Sequence, residues 1–519
     1  MHISRITLIG WVFIVFFAAL SIRVVVVVTG EGLAARVYES AQVRSDIVDR
    51  NGVPMAVSLE RLSLQVRTDL IRDAQAMVDS LSIIFKPDEP GHFYKLIEGR
   101  KGTVVLRRRL TPRQAQEITM LGNPALELRP EQQRHYPQKQ VPSHVIGVTD
   151  IDGRGVAGIE KGLDERLRSK PDPVHLTIDV RVQAAIRRVL HHTIAKFDAK
   201  GGVAIVQDVK NGEIIAMVSL PDFDPSKPDP RAPGWYAKAT TGAYEMGSVM
   251  KVFNVATAID SGIFRHDSII DATGTLKIGR QTIRDYHPQK RPLTLREVLM
   301  HSSNIASGKI ALALGEDVMM QYFSRYHFDK ALPIEVPERR RPSLPRQWRR
   351  INLATASFGH GFAVTPLHVI SAFSAVVNGG VYYAPHLVKT TDARGQRILS
   401  SKTSAQMRAW LRSVVHDEGG TGAKADVKGY EVGGKTGTAE MVHEGAYDTD
   451  RLLSSFISAF PMHDPRYAVL VMIEEPKGLE ETYGYATGGW TAAPAAGEMI
   501  SRIGPMLSLL PDTDIAVAN

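Results

Sequence analysis

From Ile6 to Val28 the chain is apolar apart from Thr7, Ser21 and Arg23. A helix rising ~1.5 Å per residue over that length could cross a ~30 Å hydrocarbon core, which predicts one transmembrane helix. Arg23 falls near its outer end, where a long cationic stem can snorkel to the headgroups. A cleaved signal peptide is the competing reading. The run is long for one, and Gly32, Leu33 and Ala34 make a poor cleavage site. His2 and Arg5 precede the helix while Arg36 and Arg44 follow it, so flanking charge does not orient it.

Beyond that segment the periodicity shortens. From Gly30 to about Asp172, β-rich runs (Leu62 to Arg67, Gly102 to Arg107) mix with polar helical stretches such as Thr111 to Leu121. Pro171, Asp172 and Pro173 break the chain before Val174 to Ile178 and mark a domain boundary. Val203 to Asp208 and Glu213 to Val218 are apolar runs joined through Lys210, Asn211 and Gly212, a hairpin signal. Leu453 to Phe460 and Tyr467 to Glu474 form a second strand pair around a Pro461 to Pro465 turn. Between the hairpins, Val249 to Asp260 has helical spacing and ends at Gly262, and Thr294 with Glu297 predicts a capping box heading Leu295 to Met300. Strands at both ends with helices between predict an α+β domain whose chain ends meet in one antiparallel sheet. The expected division is 1–29 cytoplasmic tip and anchor, 30–172 β-rich pedestal, and 173–519 the chemistry-bearing domain.

A length of 519 residues with 44% apolar and 23% charged content supports large cores and more than one domain. The formal charge of +8 speaks to anionic partners without choosing among them. With no cysteine, thiolate metal sites, iron-sulfur clusters, cysteine nucleophiles and disulfides are excluded together.

Three short motifs carry candidate chemistry. In Ser248-Val249-Met250-Lys251 the two polar residues are three apart, so on a helix Lys251 stands beside the Ser248 hydroxyl. A serine at a helix start also puts its N–H where negative charge is favoured. Lys251 serves as a base only if burial or a nearby cation lowers its free pKa of ~10.4. Chance alone supplies Ser-x-x-Lys roughly twice in such a chain, so the pattern by itself is weak. Ser302-Ser303-Asn304 lies between the helix ending near Met300 and the apolar-periodic run Ile305 to Leu314. It could present a hydroxyl and an amide inward, or simply cap the second helix. Lys435-Thr436-Gly437-Thr438 offers a cation and two hydroxyls for a carboxylate, and Gly437 admits close approach to a strand edge where an extended ligand could add. Lys-Thr-Gly arises by chance only about once in ~5,000 positions.

In this order the three motifs match the Ser-x-x-Lys, Ser-x-Asn and Lys-Thr-Gly set of penicillin-recognising enzymes. The chain resembles class B penicillin-binding proteins nearly end to end. Ile47-Val48-Asp49-Arg50-Asn51-Gly52, Arg134-His135-Tyr136-Pro137 and Gly155-Val156-Ala157-Gly158-Ile159-Glu160 carry the likeness in the pedestal. Leu176-Thr177-Ile178-Asp179, Gly359-His360-Gly361, Val364-Thr365-Pro366 and Ala492-Ala493-Pro494 carry it in the transpeptidase domain. Two departures stand out: Met246 where the family usually has proline, and Ser45-Asp46 where a glycine is common.

The resemblance implies a peptidoglycan D,D-transpeptidase. Ser248 would attack the D-alanyl-D-alanine carbonyl, Lys251 take its proton, Ser302 relay it towards the leaving amine, and Asn304 hold a substrate amide. Lys435, Thr436, Gly437 and Thr438 would receive the substrate carboxylate, with the backbone N–H groups of Ser248 and Thr438 as oxyanion hole. No cofactor or metal is implied. Implied partners are stem peptides, β-lactams, the membrane, and the glycan polymerase and septal proteins of the division machinery, with no nucleic acid. Implied location is the bacterial inner membrane, single-pass, with the catalytic domain outside the cytoplasm. The modest pedestal favours the division-type member over the elongation-type one. A D,D-carboxypeptidase would differ only in acyl acceptor. A β-lactamase lacks support because no clear Glu-x-x-Leu-Asn element is present, and a β-lactam sensor or division scaffold is the non-enzymatic alternative. The basic run Arg339, Arg340, Arg341, Arg346, Arg349 and Arg350 reads as a solvated loop. His191, His192, Asp222 and Asp224 read as surface helix and turn residues rather than metal ligands, and His301 and His360 are given no proton-transfer role.

Overall fold

The computed structural model describes residues 5–29, 43–85, 91–443 and 446–512. Helix α1 spans Arg5–Thr29. Its described side chains, at 10–23, stand in the open, with Trp11, Phe13 and Phe16 each at least 60% exposed. Among the described residues no helix is long and apolar enough to cross a membrane; the described side chains of α1 stop short of its full length. The cleavage-site candidates Gly32 to Ala34 lie outside the described residues.

The rest divides into two compact units, one of residues 1–45, 58–134 and 168–171, the other of 46–57, 135–167 and 172–519. In the first, strand β1 (Pro54–Arg67) pairs antiparallel with β2 (Thr103–Leu110), and β3 (Leu126–His135) also pairs with β1. Three helices, α2 (Ala74–Ile84), α3 (His92–Ile97) and α4 (Pro112–Met120), complete it. Leu64, Val66, Leu81, Phe85, Phe93 and Leu106 form its core. Thr111 caps α4 in a full capping box with Gln114, so the helix expected from Thr111 to Leu121 starts where its cap dictates.

In the larger unit, β4 (Gly201–Asp208) and β5 (Ile214–Leu220) form the first hairpin. Three later strands, β6 (Gly433–His443), β7 (Ala446–Phe460) and β8 (Tyr467–Glu474), complete an antiparallel sheet in the order β6-β7-β8-β4-β5. Pairing of β8 with β4 joins the first and last hairpins of this unit, and β6 is left at an edge. Both faces are covered. Val203, Ile205, Leu470 and Met472 face one core, while Ala204, Val206, Val469 and Val471 face another. Residues that alternate between two cores must all be apolar, which is why these strands read as continuous hydrophobic runs.

The helices that the hydrophobic pattern places between the hairpins pack on the first face. The second is closed by α5 (Val180–Lys196) and α6 (Ala492–Met506), which lie outside both hairpins in sequence. The expected helix from Val249 begins instead as a 3-10 turn over Gly247–Met250 and becomes α-helical only at Lys251–Asp260. Thr294 and Glu297 form the expected capping box. The run from Ile305 lies in a helix Asn304–Arg325 that Gly315 interrupts with φ 78° just after Leu314.

Candidate active site

The site is built from three segments that meet around the Ser302 hydroxyl, which lies between the amines of Lys251 and Lys435. Ser248 sits on the 3-10 turn, and three glycines let that turn wedge against its neighbours. A Cβ on Gly247, whose φ is +56°, would lie 2.5 Å from the Thr438 carbonyl oxygen. One on Gly359 would lie 2.3 Å from the Gly247 carbonyl oxygen, and one on Gly437 2.8 Å from that of Met246 and 2.4 Å from Ser455 Oγ. These approaches are open only to residues without a side chain. Gly437 thus admits the chain's own serine turn to the strand, where the sequence reading gives the space to a ligand. Met246 takes φ −83°, close to what proline adopts, and buries its side chain to 1% exposure. The Ser45 hydroxyl, at the other departure, donates to the Lys170 carbonyl.

Lys251 is fully buried, with Nζ 2.9 Å from Ser248 Oγ, 3.0 Å from Ser302 Oγ, 2.7 Å from Asn304 Oδ1 and 2.5 Å from the Ser302 carbonyl oxygen. Two of these neighbours, the carbonyl and the amide oxygen, can only accept. They use two N–H bonds and leave the third valence of nitrogen for the hydroxyls. If that valence is a lone pair, it accepts the Ser248 proton. Burial first, and the nearby Lys435 second, hold the Lys251 amine well below its ordinary range, with Asp285 opposing. Lys435 is also fully buried, and burial pushes it down to about 7. Its Nζ lies 3.1 Å from Ser302 Oγ and 2.9 Å from the Thr436 carbonyl oxygen, so one serine hydroxyl bridges two lysines.

The two serines of the second motif divide its two possible roles. Ser303 is the cap: its Oγ accepts from Ala306 N–H at 3.1 Å and donates to Asp285 Oδ2 at 2.7 Å. Ser302, held at φ 57°, keeps its hydroxyl for the lysines. Asn304 Nδ2 donates to the Arg284 carbonyl at 3.1 Å, which aims Oδ1 at Lys251. On the edge strand β6, Thr436 Oγ1 donates to Thr421 Oγ1 at 2.8 Å, and Thr438 Oγ1 accepts from Gly488 N–H at 3.1 Å. Thr438 can still donate to a ligand. The contact between Gly247 and the Thr438 carbonyl sets the backbones bearing the two candidate oxyanion N–H groups side by side.

Sequence reasoning missed Asp285, Thr421, Glu245 and Tyr447. Asp285 also accepts from Ile305 N–H at 2.9 Å and so fixes the whole Ser-Ser-Asn loop from 20 residues away. Glu245 accepts from Gly361 N–H at 3.0 Å and from the Tyr447 hydroxyl at 3.1 Å. It ties the Gly359-His360-Gly361 segment to the serine turn. Only its position three residues before Ser248 could have flagged it. Val364 bridges Tyr244 by two backbone bonds, Thr365 caps the next helix, and Pro366 fills its first position. His360 packs its ring on Phe358 and Tyr447, and burial lowers its pKa; burial also lowers that of His301.

Among the described residues no group of three or more His, Asp or Glu side chains is placed to hold a metal. Asp222 pairs with Arg187 at 2.6 Å, Asp224 closes a turn with Ser226 N–H, and His191 and His192 are exposed. All six arginines from Arg339 to Arg350 are exposed, with Arg341 donating to the Asp329 carbonyl at 2.8 Å.

The penicillin binding protein transpeptidase domain matches residues 202–500, and the penicillin-binding protein dimerisation domain matches 40–196. A probable peptidoglycan D,D-transpeptidase FtsI of Caulobacter vibrioides is 38% identical over 492 residues, covering 92% of this chain and 83% of that protein. The peptidoglycan D,D-transpeptidase FtsI of Escherichia coli K12 is 28% identical over 528 residues, covering 93% and 87%. Stage V sporulation protein D of Bacillus subtilis is 29% identical over 518 residues, covering 90% and 79%. With both domains matched and such coverage, the chain belongs to the class B penicillin-binding proteins.

Proposed function

We propose that this protein is the peptidoglycan D,D-transpeptidase of the division septum, cross-linking stem peptides by a serine acyl-enzyme route. One observation carries the reading: a fully buried lysine amine 2.9 Å from a serine hydroxyl, beside an edge strand that holds a second buried lysine. The relatives named D,D-transpeptidase FtsI support the septal assignment.

In this mechanism the Lys251 lone pair takes the Ser248 proton as Oγ bonds to the carbonyl carbon of the penultimate D-alanine. The oxyanion is received by the backbone N–H groups of Ser248 and Thr438. Ser302, touching both lysines, passes a proton to the departing nitrogen as the carbon–nitrogen bond breaks and D-alanine leaves. Lys435 and the Thr438 hydroxyl receive the terminal carboxylate, joined by Thr436 once its hydroxyl turns from Thr421 to donate, Gly437 keeps the strand edge narrow, and Asn304 orients a substrate amide. An amine of a second stem peptide then attacks the ester, returning Ser248 its proton and forming the cross-link. A β-lactam enters by the same acylation and stays, because its leaving nitrogen remains tethered.

We place α1 in the membrane as a single-pass anchor, since 25 helical residues at ~1.5 Å each exceed a ~30 Å core and its open apolar side chains lack other cover. On this reading residues 1–29 are tip and anchor, 30–172 a pedestal, and 173–519 the transpeptidase domain outside the cytoplasmic membrane. The division glycan polymerase and septal proteins are the partners proposed for anchor and pedestal. The test is labelling with a fluorescent penicillin. The parent should label covalently and Ser248→Ala should not; equal labelling of the two would overturn the site.

A further inference from the structure

Between Ile263 and Glu297 the chain forms a lobe whose inner side packs on the catalytic unit and whose outer side is unmatched in charge. Within it, two short strands, Leu276–Ile278 and Gln281–Ile283, pair antiparallel with Lys277 opposite Thr282. Leu276, Ile278 and Ile283 turn inward onto Ala354 and Phe358. Alternation therefore turns Lys277 and Thr282 outward. It continues past the strand: Ile283 is buried, Arg284 exposed and Asp285 buried. Arg284 thus shares the outer face with Lys277, a diagonal neighbour at about 7–8 Å, with Arg280 at the exposed tip.

The lobe contains four acidic residues, Asp267, Asp271, Asp285 and Glu297. Each is committed elsewhere. Asp267 pairs with Arg265, Asp271 with Lys309, and Glu297 with Arg291. Asp285 points inward to Ser303 and Ile305. Among the described residues Lys277, Arg280 and Arg284 have no carboxylate within ion-pair distance. This unpaired face begins beside the chemistry, because the Arg284 carbonyl is the group that holds Asn304 Nδ2 at 3.1 Å.

We propose that the outer face of this lobe, centred on Arg284 with Lys277 and Arg280, receives a free side-chain carboxylate of the donor stem peptide. The proposal rests on the transpeptidase reading and deepens it by naming the substrate class: stem peptides whose third residue keeps an ionised carboxyl. Two features favour a single carboxylate over diffuse attraction to an anionic polymer. A guanidinium offers two parallel N–H donors to one carboxylate, and this one is tethered to the residue proposed to hold the substrate amide. Lys435 and its threonines are already assigned to the peptide's terminal carboxylate, which leaves this second cationic face for a second anion.

The experiment uses the full chain in detergent and two synthetic stem-peptide thioester donors, identical except that the third residue carries a carboxylate or its carboxamide. The parent should turn over the carboxylate donor with a kcat/KM about five- to tenfold higher, the difference lying in KM, as expected for one partly exposed charge-assisted pair. Arg284→Gln should bring the ratio near one, and Arg284→Lys should restore most of it. Because each ratio is taken within one protein, partial misfolding cancels, and both variants retain the backbone carbonyl that holds Asn304. A parent ratio near one, or a ratio that Arg284→Gln leaves unchanged, would overturn the proposal. Penicillin labelling at Ser248 is read separately in the parent, so failure of the serine assignment is distinguishable from failure of the carboxylate site.

Discussion

Two groups of basic residues, one buried and one exposed, each have a member bonded to Asn304: Lys251 through its amine and Arg284 through its backbone carbonyl. Lys251 and Lys435 are fully buried, and burial moves both towards the neutral amine. Lys277, Arg280 and Arg284 stand on the exposed lobe without a carboxylate partner among the described residues. On the proposed reading, a basic side chain serves as a base where it is buried and as a fixed cation where it is exposed. Desolvation removes the charge in one place, and hydration keeps it in the other. Among the lysines, depth alone separates the neutral amines of Lys251 and Lys435 from the exposed cation of Lys277.

Removing the buried base should break the comparison most severely. Lys251→Met should fold, since it exchanges a desolvated amine for an apolar chain of similar length, yet its rate of penicillin acylation should fall by roughly 10²- to 10⁴-fold. Stopped-flow acylation measures this, and a loss under tenfold would remove Lys251 as the base. Next in size is the packing that brings the serine to it. Gly359→Ala must place a Cβ 2.3 Å from the Gly247 carbonyl at φ +85°. It should cost roughly 1–3 kcal/mol in denaturant unfolding and slow acylation as the turn shifts.

A pH series sharpens the comparison further. Lys435 is at about 7 when folded and 10.5 when unperturbed, so between those values the unfolded chain binds the extra proton. Stability therefore rises with pH across that window, while below about 7 the cost of burying the cation is fully present. Lys435→Met should lessen the slope of this part of the unfolding-stability curve, leaving the share that the buried Lys251 contributes with the same sign. The smallest effect belongs to the rim. Raising salt from about 0.05 to 0.5 M should lower kcat/KM for an anionic stem peptide several-fold through screening, and leave the carboxamide donor less affected. Paired rate measurements test it, and equal salt sensitivity would remove the lobe's electrostatic role.

Local rules made part of this legible. Ser248 and Lys251 are three residues apart, and the turn geometry that joins them follows from that spacing. The capping box at Thr294 and the hairpin through Asn211 and Gly212 are likewise relations within a few residues. Other features had no such signature. Helix α5 carries the necessary period in Val182, Ile186, Val189 and Leu190, but nothing in it says that it covers a second sheet face. Asp285, Thr421 and Tyr447 reach the site from elements whose sequence patterns carry no trace of it. Gly437 looked like space for a ligand, whereas its contact is with the carbonyl of Met246.

By itself the sequence determined the three motifs, the order of strands and helices around them, and the absence of thiol chemistry. Those depend on residue identity and on spacing inside single elements. The tertiary structure alone decided that Ser302 bridges two lysines, that Ser303 takes the cap, and that Lys251 is fully buried. Each is a relation between segments far apart in the chain. A pKa follows from burial and neighbours, and those exist only once the segments have packed.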